Sequence, residues 1–160
     1  MAAASWDLQR SIYQTLSNAT ALTDRLGGDR IYSKAPQGQA LPYITLGQTV
    51  TLDWSTGTEP GTEHDLTLHV WTRADSAEEV QEIMEAVRAL LHDQPLSLDD
   101  HYLVNLRHEF AEARIDPDGE TMHGIVRYRA VTEPQQQPRR KLHKLTISEM
   151  AGLVPAIVVL

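Results

Sequence analysis

The segment from Ser76 to Leu91 constrains the fold most, because it has the pattern of a capped amphipathic helix. Ser76 is a good helix cap, and Glu79 follows three residues later, as in a capping box. Apolar residues then recur every three or four positions and form a single stripe. They are Val80, Ile83, Met84, Val87, Leu90 and Leu91. This stripe must be buried, so the rest of the chain must supply a surface for it.

Segments with the composition of β-strands lie on both sides of this helix. Leu66, Leu68 and Val70 alternate with other residues up to Trp71, which is typical of a half-buried strand. After the helix, two strand-like segments are joined by the turn residues Asp116-Pro-Asp-Gly, which predicts a hairpin. The predicted strands are residues 30–33, 43–52, 66–71, 102–114 and 121–132.

Two further helices are predicted at the start of the chain. Leu8, Ile12, Leu16 and Ala19 follow a helical period from a start near Ser5 or Asp7. A second short helix, 21–26, ends where two glycines permit a left-handed cap. The order of helices and hairpins predicts an α+β fold, a mostly antiparallel sheet of about four to five strands packed against two main helices.

The charge distribution divides the chain after Glu133. Residues 1–133 contain ten Lys and Arg against 21 Asp and Glu, a net charge of −11, whereas residues 134–160 contain four against one, a net charge of +3. The division falls at Pro134-Gln-Gln-Gln-Pro, which has the composition of a linker. We therefore predict a domain at 1–133 and a C-terminal extension at 134–160 that is first basic and then apolar.

Several classes of protein are disfavoured by composition. The chain has no Cys, so disulfide frameworks and cysteine zinc sites are excluded, and its acidity disfavours a DNA clamp. Met1 to Trp6 has no signal-peptide pattern, which favours a cytosolic product. The longest apolar stretch, Ala151 to Leu160, is too short to cross a bilayer, and we expect no membrane association.

Signals of catalysis are weak. No pair of histidines has the spacing of a zinc protease helix, and neither a nucleophile elbow nor a phosphate loop is present. The paired carboxylates, including Asp116 with Asp118, lie in predicted turns, where Asp usually stabilises the turn. We expect no enzyme, no cofactor and no metal. A small metal-dependent hydrolase using His64, His69 and neighbouring carboxylates stays open as an alternative.

The connection from Asp53 to His64 is long for a small domain, and long connections are often functional. Trp54 suits a protein interface as an aromatic anchor, but a tryptophan that folds back onto its own sheet fits equally well. Trp71 lies on the strand face opposite Leu68 and Val70. If helices cover only one face of the sheet, Trp71 needs another cover, which a neighbouring subunit would supply.

A set of short motifs, taken in order, resembles a known family. They are Ala35-Pro-Gln-Gly, Leu41-Pro-Tyr-Ile-Thr-Leu-Gly, Asp53-Trp-Ser-Thr, Thr58-Glu-Pro-Gly-Thr-Glu-His, Leu66-Thr-Leu-His-Val-Trp, Leu103-Val-Asn-Leu-Arg, Asp116-Pro-Asp-Gly and Val126-Arg-Tyr-Arg-Ala-Val-Thr-Glu. Over about residues 5–134 the chain resembles the tail completion proteins, or tail terminators, of long-tailed phages and gene transfer agents.

The resemblance implies a structural virion protein of the tail neck, made in the bacterial cytoplasm. Such proteins are α+β subunits that form a homo-oligomeric, sixfold ring on the head-proximal end of the tail tube. The ring ends tube growth and contacts the tail tube protein and the head-tail connector or stopper protein, while DNA passes through its lumen without specific binding. A head closure or neck ring protein is the alternative within the same structural class.

The resemblance also implies subunit or tube contacts on the two connections of the sheet and on nearby residues. The candidates are Trp54, Glu59, Pro60, His64, Trp71, Arg107, Asp116 and Asp118. The extension departs from the family pattern. Its basic residues from Arg139 to Lys144 suit DNA or an acidic partner, and Leu153 to Leu160 suits an added strand. We favour weak docking, or an accident of the reading frame, over DNA binding.

Overall fold

The computed structural model describes residues 3–135. Its helices are α1 (Ala4–Ser17), α2 (Thr20–Leu26) and α3 (Ala77–Leu91). Its strands are β1 (Ile31–Tyr32), β2 (Tyr43–Asp53), β3 (Thr62–Arg73), β4 (His101–Ile115) and β5 (Thr121–Pro134). The order of elements is the predicted one, and the α+β class is confirmed.

The five strands form one sheet in the order β1-β2-β3-β5-β4. The short β1 runs parallel to β2, and the other neighbours are antiparallel, so the predicted, mostly antiparallel sheet is confirmed. Three successive antiparallel pairings mean that β2 and β4 run in opposite directions. These two long strands lie on opposite sides of the sheet, with β4 at its edge and β2 covered only by the two residues of β1.

The strands are longer than predicted at the β2–β3 connection. The ladder continues with Thr51 paired to His64 and Asp53 paired to Thr62, so the connection is residues 54–61. The long loop predicted from Asp53 to His64 is therefore wrong in its extent. Residues 62–65 are polar or charged, so their composition does not predict a strand. They form one because their backbone pairs with the neighbouring strands.

The end of β5 passes the predicted domain boundary. Pro134 is the last residue of the strand, and the Gln135 backbone N–H donates to the Asp100 carbonyl. The described residues thus include two beyond Glu133. From residue 136 onward the predicted extension lies outside the described residues.

Helix α3 forms as its capping pattern predicts. The Ser76 hydroxyl accepts a hydrogen bond from the Glu79 backbone N–H at 3.3 Å. The stripe is buried against β3, β4 and β5, the strands in the centre and on one side of the sheet. Its buried members are Val80, Ile83, Met84, Val87 and Leu91.

Helices α1 and α2 complete the layer on the same face of the sheet. Leu8, Ile12 and Leu16 of α1 join the single core cluster, and α1 packs on both other helices. Helix α2 ends at Gly27, whose φ of 83° is the left-handed cap that glycine adopts without strain. The opposite face of the sheet, which carries His69, Trp71 and His123, contributes nothing to this cluster.

Gly124 allows α3 to lie close to β5. A Cβ at this position would come within 2.9 Å of both Val80 Cγ2 and Met84 Sδ. Real side chains essentially never approach so closely, so a larger residue here must displace the Val80 and Met84 side chains or the helix that carries them.

We expect Gly124→Ala to lower the free energy of unfolding by about 1–3 kcal/mol, because the added methyl group overpacks the contact between α3 and β5. Urea unfolding followed by tryptophan fluorescence measures this loss. Gly57→Ala is the matched control, since a Cβ there meets nothing within 4 Å. It should change stability by less than about 0.5 kcal/mol. Equal stability of the two variants would contradict the tight helix contact.

Candidate functional site

Five of the eight predicted contact residues fall at two opposite ends of the sheet. At one end Thr62 pairs with Thr132, next to the β2–β3 turn (54–61). At the other end Arg73 pairs with Thr121, next to the β4–β5 turn (116–120). The eleven steps along β3 between these pairs span about 35 Å. The structure therefore separates Trp54, Glu59 and Pro60 from Asp116 and Asp118.

The β2–β3 turn is held by its own hydrogen bonds. The Trp54 N–H donates to the Gly61 carbonyl at 2.9 Å, and the Gly61 N–H donates to the Ser55 hydroxyl at 3.1 Å. The Trp54 ring lies against Gly61, because a Cβ at Gly61 would be 3.5 Å from Trp54 Cε3. Even so, Trp54 is 46% exposed. It is folded back on its own turn and still presents an apolar surface beside the exposed Glu59 and Pro60.

The β4–β5 turn is an acidic end of the molecule. The Asp118 carboxylate accepts hydrogen bonds from the Glu120 and Thr121 backbone N–H groups and from the Thr121 hydroxyl. The bond from Glu120 contributes most to holding the pKa of Asp118 below its usual range. Asp118 thus stabilises the turn, as Asp in such turns usually does. Asp116 and Glu120 add two further carboxylates within the same five residues.

His64 lies in the core of the subunit. Its side chain is completely buried on the helix face of β3, and Nε2 is 2.9 Å from the Thr132 hydroxyl. Burial lowers the pKa of His64, and the nearby His101 lowers it further. In this fold His64 offers no surface to a second subunit, so it leaves the set of contact candidates.

Trp71 belongs to a ring cluster on the sheet face opposite the helices. Its ring stacks on His123 with centroids 3.9 Å apart and on Tyr43 at 6.3 Å. Its Nε1–H donates to the Thr45 hydroxyl at 3.1 Å. His69 Nδ1 is 2.7 Å from His123 Nε2. Part of the cover that Trp71 needs therefore comes from the chain itself.

The structure separates the two histidines of the metal-dependent hydrolase alternative. His64 and His69 are five residues apart on one strand, so they lie on opposite faces of the sheet, one against Thr132 and the other against His123. Within residues 3–135 no group of three or more His, Asp or Glu side chains is arranged to hold a metal ion. The two histidines cannot share one.

Arg107 lies on the edge strand β4, away from both turns. Its guanidinium donates to Asp93 Oδ1 at 2.9 Å, and 58% of its side chain is exposed. Asp93 follows the end of α3 with a φ of 56°, and its N–H donates to the Leu106 carbonyl. Arg107 is thus anchored at one atom and accessible over most of its length.

A buried, hydrogen-bonded carboxylate that sequence reasoning missed connects α1 to the start of β4. Asp7 is 1% exposed, and its carboxylate accepts from the Asp99 and Asp100 N–H groups at 3.0 and 2.8 Å and lies 2.8 Å from His101 Nδ1. Burial alone would raise the pKa of Asp7, but these hydrogen bonds outweigh it and lower the pKa. The partners are more than 90 residues apart in sequence, so no spacing signal reveals them.

Because its carboxylate satisfies three donors at once, we expect Asp7→Ala to lower the free energy of unfolding by about 3–5 kcal/mol. Asp99→Asn is the control, since it removes only an exposed ion pair with Arg10 and keeps the Asp99 N–H, and it should cost less than about 1 kcal/mol. Thermal melts compare the two. Equal melting temperatures for Asp7→Ala and the wild type would show that the buried Asp7 carboxylate does not stabilise the fold.

The buried histidine makes stability depend on pH. The pKa of His64 is lowered in the fold, so below pH 6.5 the unfolded chain binds a proton that the folded chain does not. The free energy of unfolding is therefore highest above about pH 7. It decreases as the pH falls through 6.5 toward the lower pKa of His64 in the folded chain. His69 and His123, whose pKa values burial also lowers, act in the same direction.

We expect the double variant His64→Leu/Thr132→Val to lose less stability between pH 7.5 and 5.5 than Thr132→Val alone. The double variant removes the buried imidazole and its hydroxyl partner together, whereas the single variant keeps the histidine. Urea unfolding at the two pH values gives the difference. An unchanged pH dependence would show that His64 does not contribute.

Among residues 3–135, no helix combines the length and the hydropathy needed to cross a bilayer.

The negative charge is concentrated on the helix side of the molecule. Residues 3–30 and 74–100 contain four Lys and Arg against 11 Asp and Glu, a net charge of −7 out of −11 for residues 1–133.

Comparison with known proteins gives consistent matches over this body. The family model described as tail completion protein gp17 matches residues 10–133. The tail completion protein gp17 of Bacillus phage SPP1 is 25% identical over 126 residues, which are 79% of this chain and 92% of that protein. A chain in the virion of a native gene transfer agent particle matches with a TM-score of 0.76 and 29% identity. The match covers 83% of this chain and 99% of that chain.

Proposed function

Because the chain belongs to the tail completion protein gp17 family and is a structural protein of a phage tail rather than an enzyme, we propose that it caps the head-proximal end of the tail tube. In this role it ends tube polymerisation and joins the tail to the head connector. The mechanism is surface complementarity between rings, and it requires no reacting group or cofactor.

The position of the two turns carries this proposal. A protein that joins two different assemblies needs two separate contact surfaces, and the turns of this sheet are about 35 Å apart. Their chemistry differs. The β2–β3 turn presents Trp54 and Pro60 with one carboxylate, whereas the β4–β5 turn presents three carboxylates. One end would contact the last ring of the tube protein, and the other would contact the connector or stopper protein.

A ring of six copies is part of the proposal, because a cap must match the cross-section of a tube and leave a passage for DNA. The subunit body carries a net charge of −11. Like charge repels the phosphates of a duplex, so a ring of these subunits lets DNA pass without binding it specifically. The location that follows is the neck of the virion, after synthesis in the bacterial cytoplasm.

Tail tubes polymerised from the tube protein of the same particle test the proposal. Adding the purified chain should place extra density on one end of each tube, and tube length should stop increasing when more tube protein is supplied. Electron microscopy of tube ends and length distributions measures both. Tubes that keep growing with bare ends would contradict capping. Binding to isolated connectors, with none to tubes, would favour a head closure protein instead.

A matched pair of charge reversals assigns the two ends. Glu59→Lys changes the β2–β3 turn and Glu120→Lys changes the β4–β5 turn, and both side chains are exposed. We expect one of the two variants to lose at least about tenfold in tube affinity, equivalent to 1.4 kcal/mol, while the other binds tubes normally and loses connector binding. Binding of both variants to both partners would contradict the assignment of separate ends.

A further inference from the structure

The exposed apolar side chains are concentrated on β2, β4 and the residue after β2. Seven large hydrophobic residues are exposed among residues 3–135, and one of them, Trp6, lies on α1. The other six are each 41–59% exposed. They are Val50, Leu52 and Trp54 at the end of β2, and Tyr102, Val104 and Ile115 on β4. Exposed apolar surface gathered in this way is typical of an interaction site.

Most of these residues lie at the same level on opposite edges of the sheet. Following the ladder across the strands, Asp53 pairs with Thr62, and Thr62 pairs with Thr132. Thr132 in turn pairs with Leu103 of β4. The apolar patch at 50–54 is therefore level with the patch at 102–104, and only Ile115 lies at the far end.

The backbone at both patches is available for pairing. On its far side β2 is covered by β1 only at Ile44 and Thr45. The far side of β4 is occupied at Leu106 and His108, which bond to residues 93 and 92. Residues 50–53 on one edge and 102–105 on the other, four residues each, make none of these contacts and coincide with the apolar patches. Asn105 Oδ1 is also buried without a hydrogen-bond partner among the described residues.

The charges beside the two patches are complementary. Residues 35–72 contain no Lys or Arg and four carboxylates, including Asp53 and Glu59 beside the first patch. Around the second patch, residues 101–108 of β4 contain Arg107 and no carboxylate, and the Arg107 side chain is more than half exposed. Further along the strand, Arg114 is paired with Glu112. Arg107 uses one of its five N–H donors on Asp93, so others are free to meet a carboxylate of a second chain.

We propose that the partner of each edge is a second copy of this chain, with residues 50–54 of one subunit pairing antiparallel to residues 102–105 of the next. This inference rests on the proposed ring and names its subunit contact. Strands β2 and β4 run in opposite directions within the sheet, so copies that share one orientation around a ring axis present them antiparallel to each other. Leu52 and Trp54 then pack on Tyr102 and Val104.

The contact is heterologous, because the two patches are different and lie on opposite sides of the subunit. Heterologous contacts repeat from copy to copy and close into a ring when the rotation permits. Each subunit then pairs through its β2 edge with one neighbour and through its β4 edge with the other. This short antiparallel pairing covers the unpaired backbone groups of the two edges, which would otherwise favour aggregation. Apart from Trp54, the residues of the two turns stay free for the partners at the two ends of the ring.

A cysteine pair tests this contact in a chain that has no cysteine of its own. Within one subunit β2 and β4 are three strand spacings apart, about 14 Å, and a disulfide needs Cα atoms within about 7 Å. Oxidised Leu52→Cys/Val104→Cys can therefore form this bond only between copies. On assembled rings we expect a ladder from dimer to the full ring on a non-reducing gel, with less than a tenth of the protein left as monomer.

Leu52→Cys/Ile115→Cys is the matched control. Ile115 is on the same strand and equally exposed, but lies about 35 Å further along it. This variant and each single cysteine should give nothing beyond dimer. A ladder from the Ile115 pair, or rings whose Leu52/Val104 pair does not cross-link, would overturn the proposed contact.

Hydrogen exchange on the unmodified protein gives a second, independent measurement. Backbone amides at 50–53 and 102–105 should exchange about tenfold more slowly in rings than in monomers, while those of the β4–β5 turn should not change. Rings without this protection would overturn the edge pairing and leave the capping role intact. If neither solution nor tube ends yielded rings, the proposed ring would fail and the subunit contact with it.

Discussion

The close contact between α3 and β5 at Gly124 determines the layout of the whole subunit. With no side chain at that position, the helix stripe from Val80 to Leu91 reaches the central strands directly. Burying that stripe gathers α1, α2 and α3 into one layer on one face of the sheet. The opposite face, the turns and most of both sheet edges are thereby left for other purposes.

The subunit surface is divided into regions of different chemistry, as suits a structural protein rather than an enzyme. Helices cover one face, and the segments that contain them, residues 3–30 and 74–100, carry most of the net negative charge. Stacked rings around Trp71 cover part of the other face. The large exposed apolar residues other than Trp6 lie on β2, on β4 and just after β2. Three carboxylates cluster at the β4–β5 turn. This pattern suits a subunit that contacts like copies at its sides and different partners at its ends.

The parts of the fold that were predictable are those with local signals. The Ser76 cap and the α3 stripe lie within 16 residues, and the Asp116 to Gly119 turn joins adjacent strands, so neighbours in sequence are also neighbours in space. The start of β3 was not predictable, because residues 62–65 are polar and become a strand only by pairing with β2 and β5. The burial of His64 follows from that pairing and was missed for the same reason.

The sequence alone determined the α+β class, the positions of α3 and the last hairpin, the absence of thiol chemistry and the family to which the motifs belong. These depend on residue type and short-range order, which the chain carries regardless of its fold. Tertiary structure decided that five of the contact candidates divide between two ends, that Asp7 meets His101, and that apolar patches lie at one level on opposite edges. Each of these depends on strand register, which is set by long-range pairing and not by any local sequence pattern.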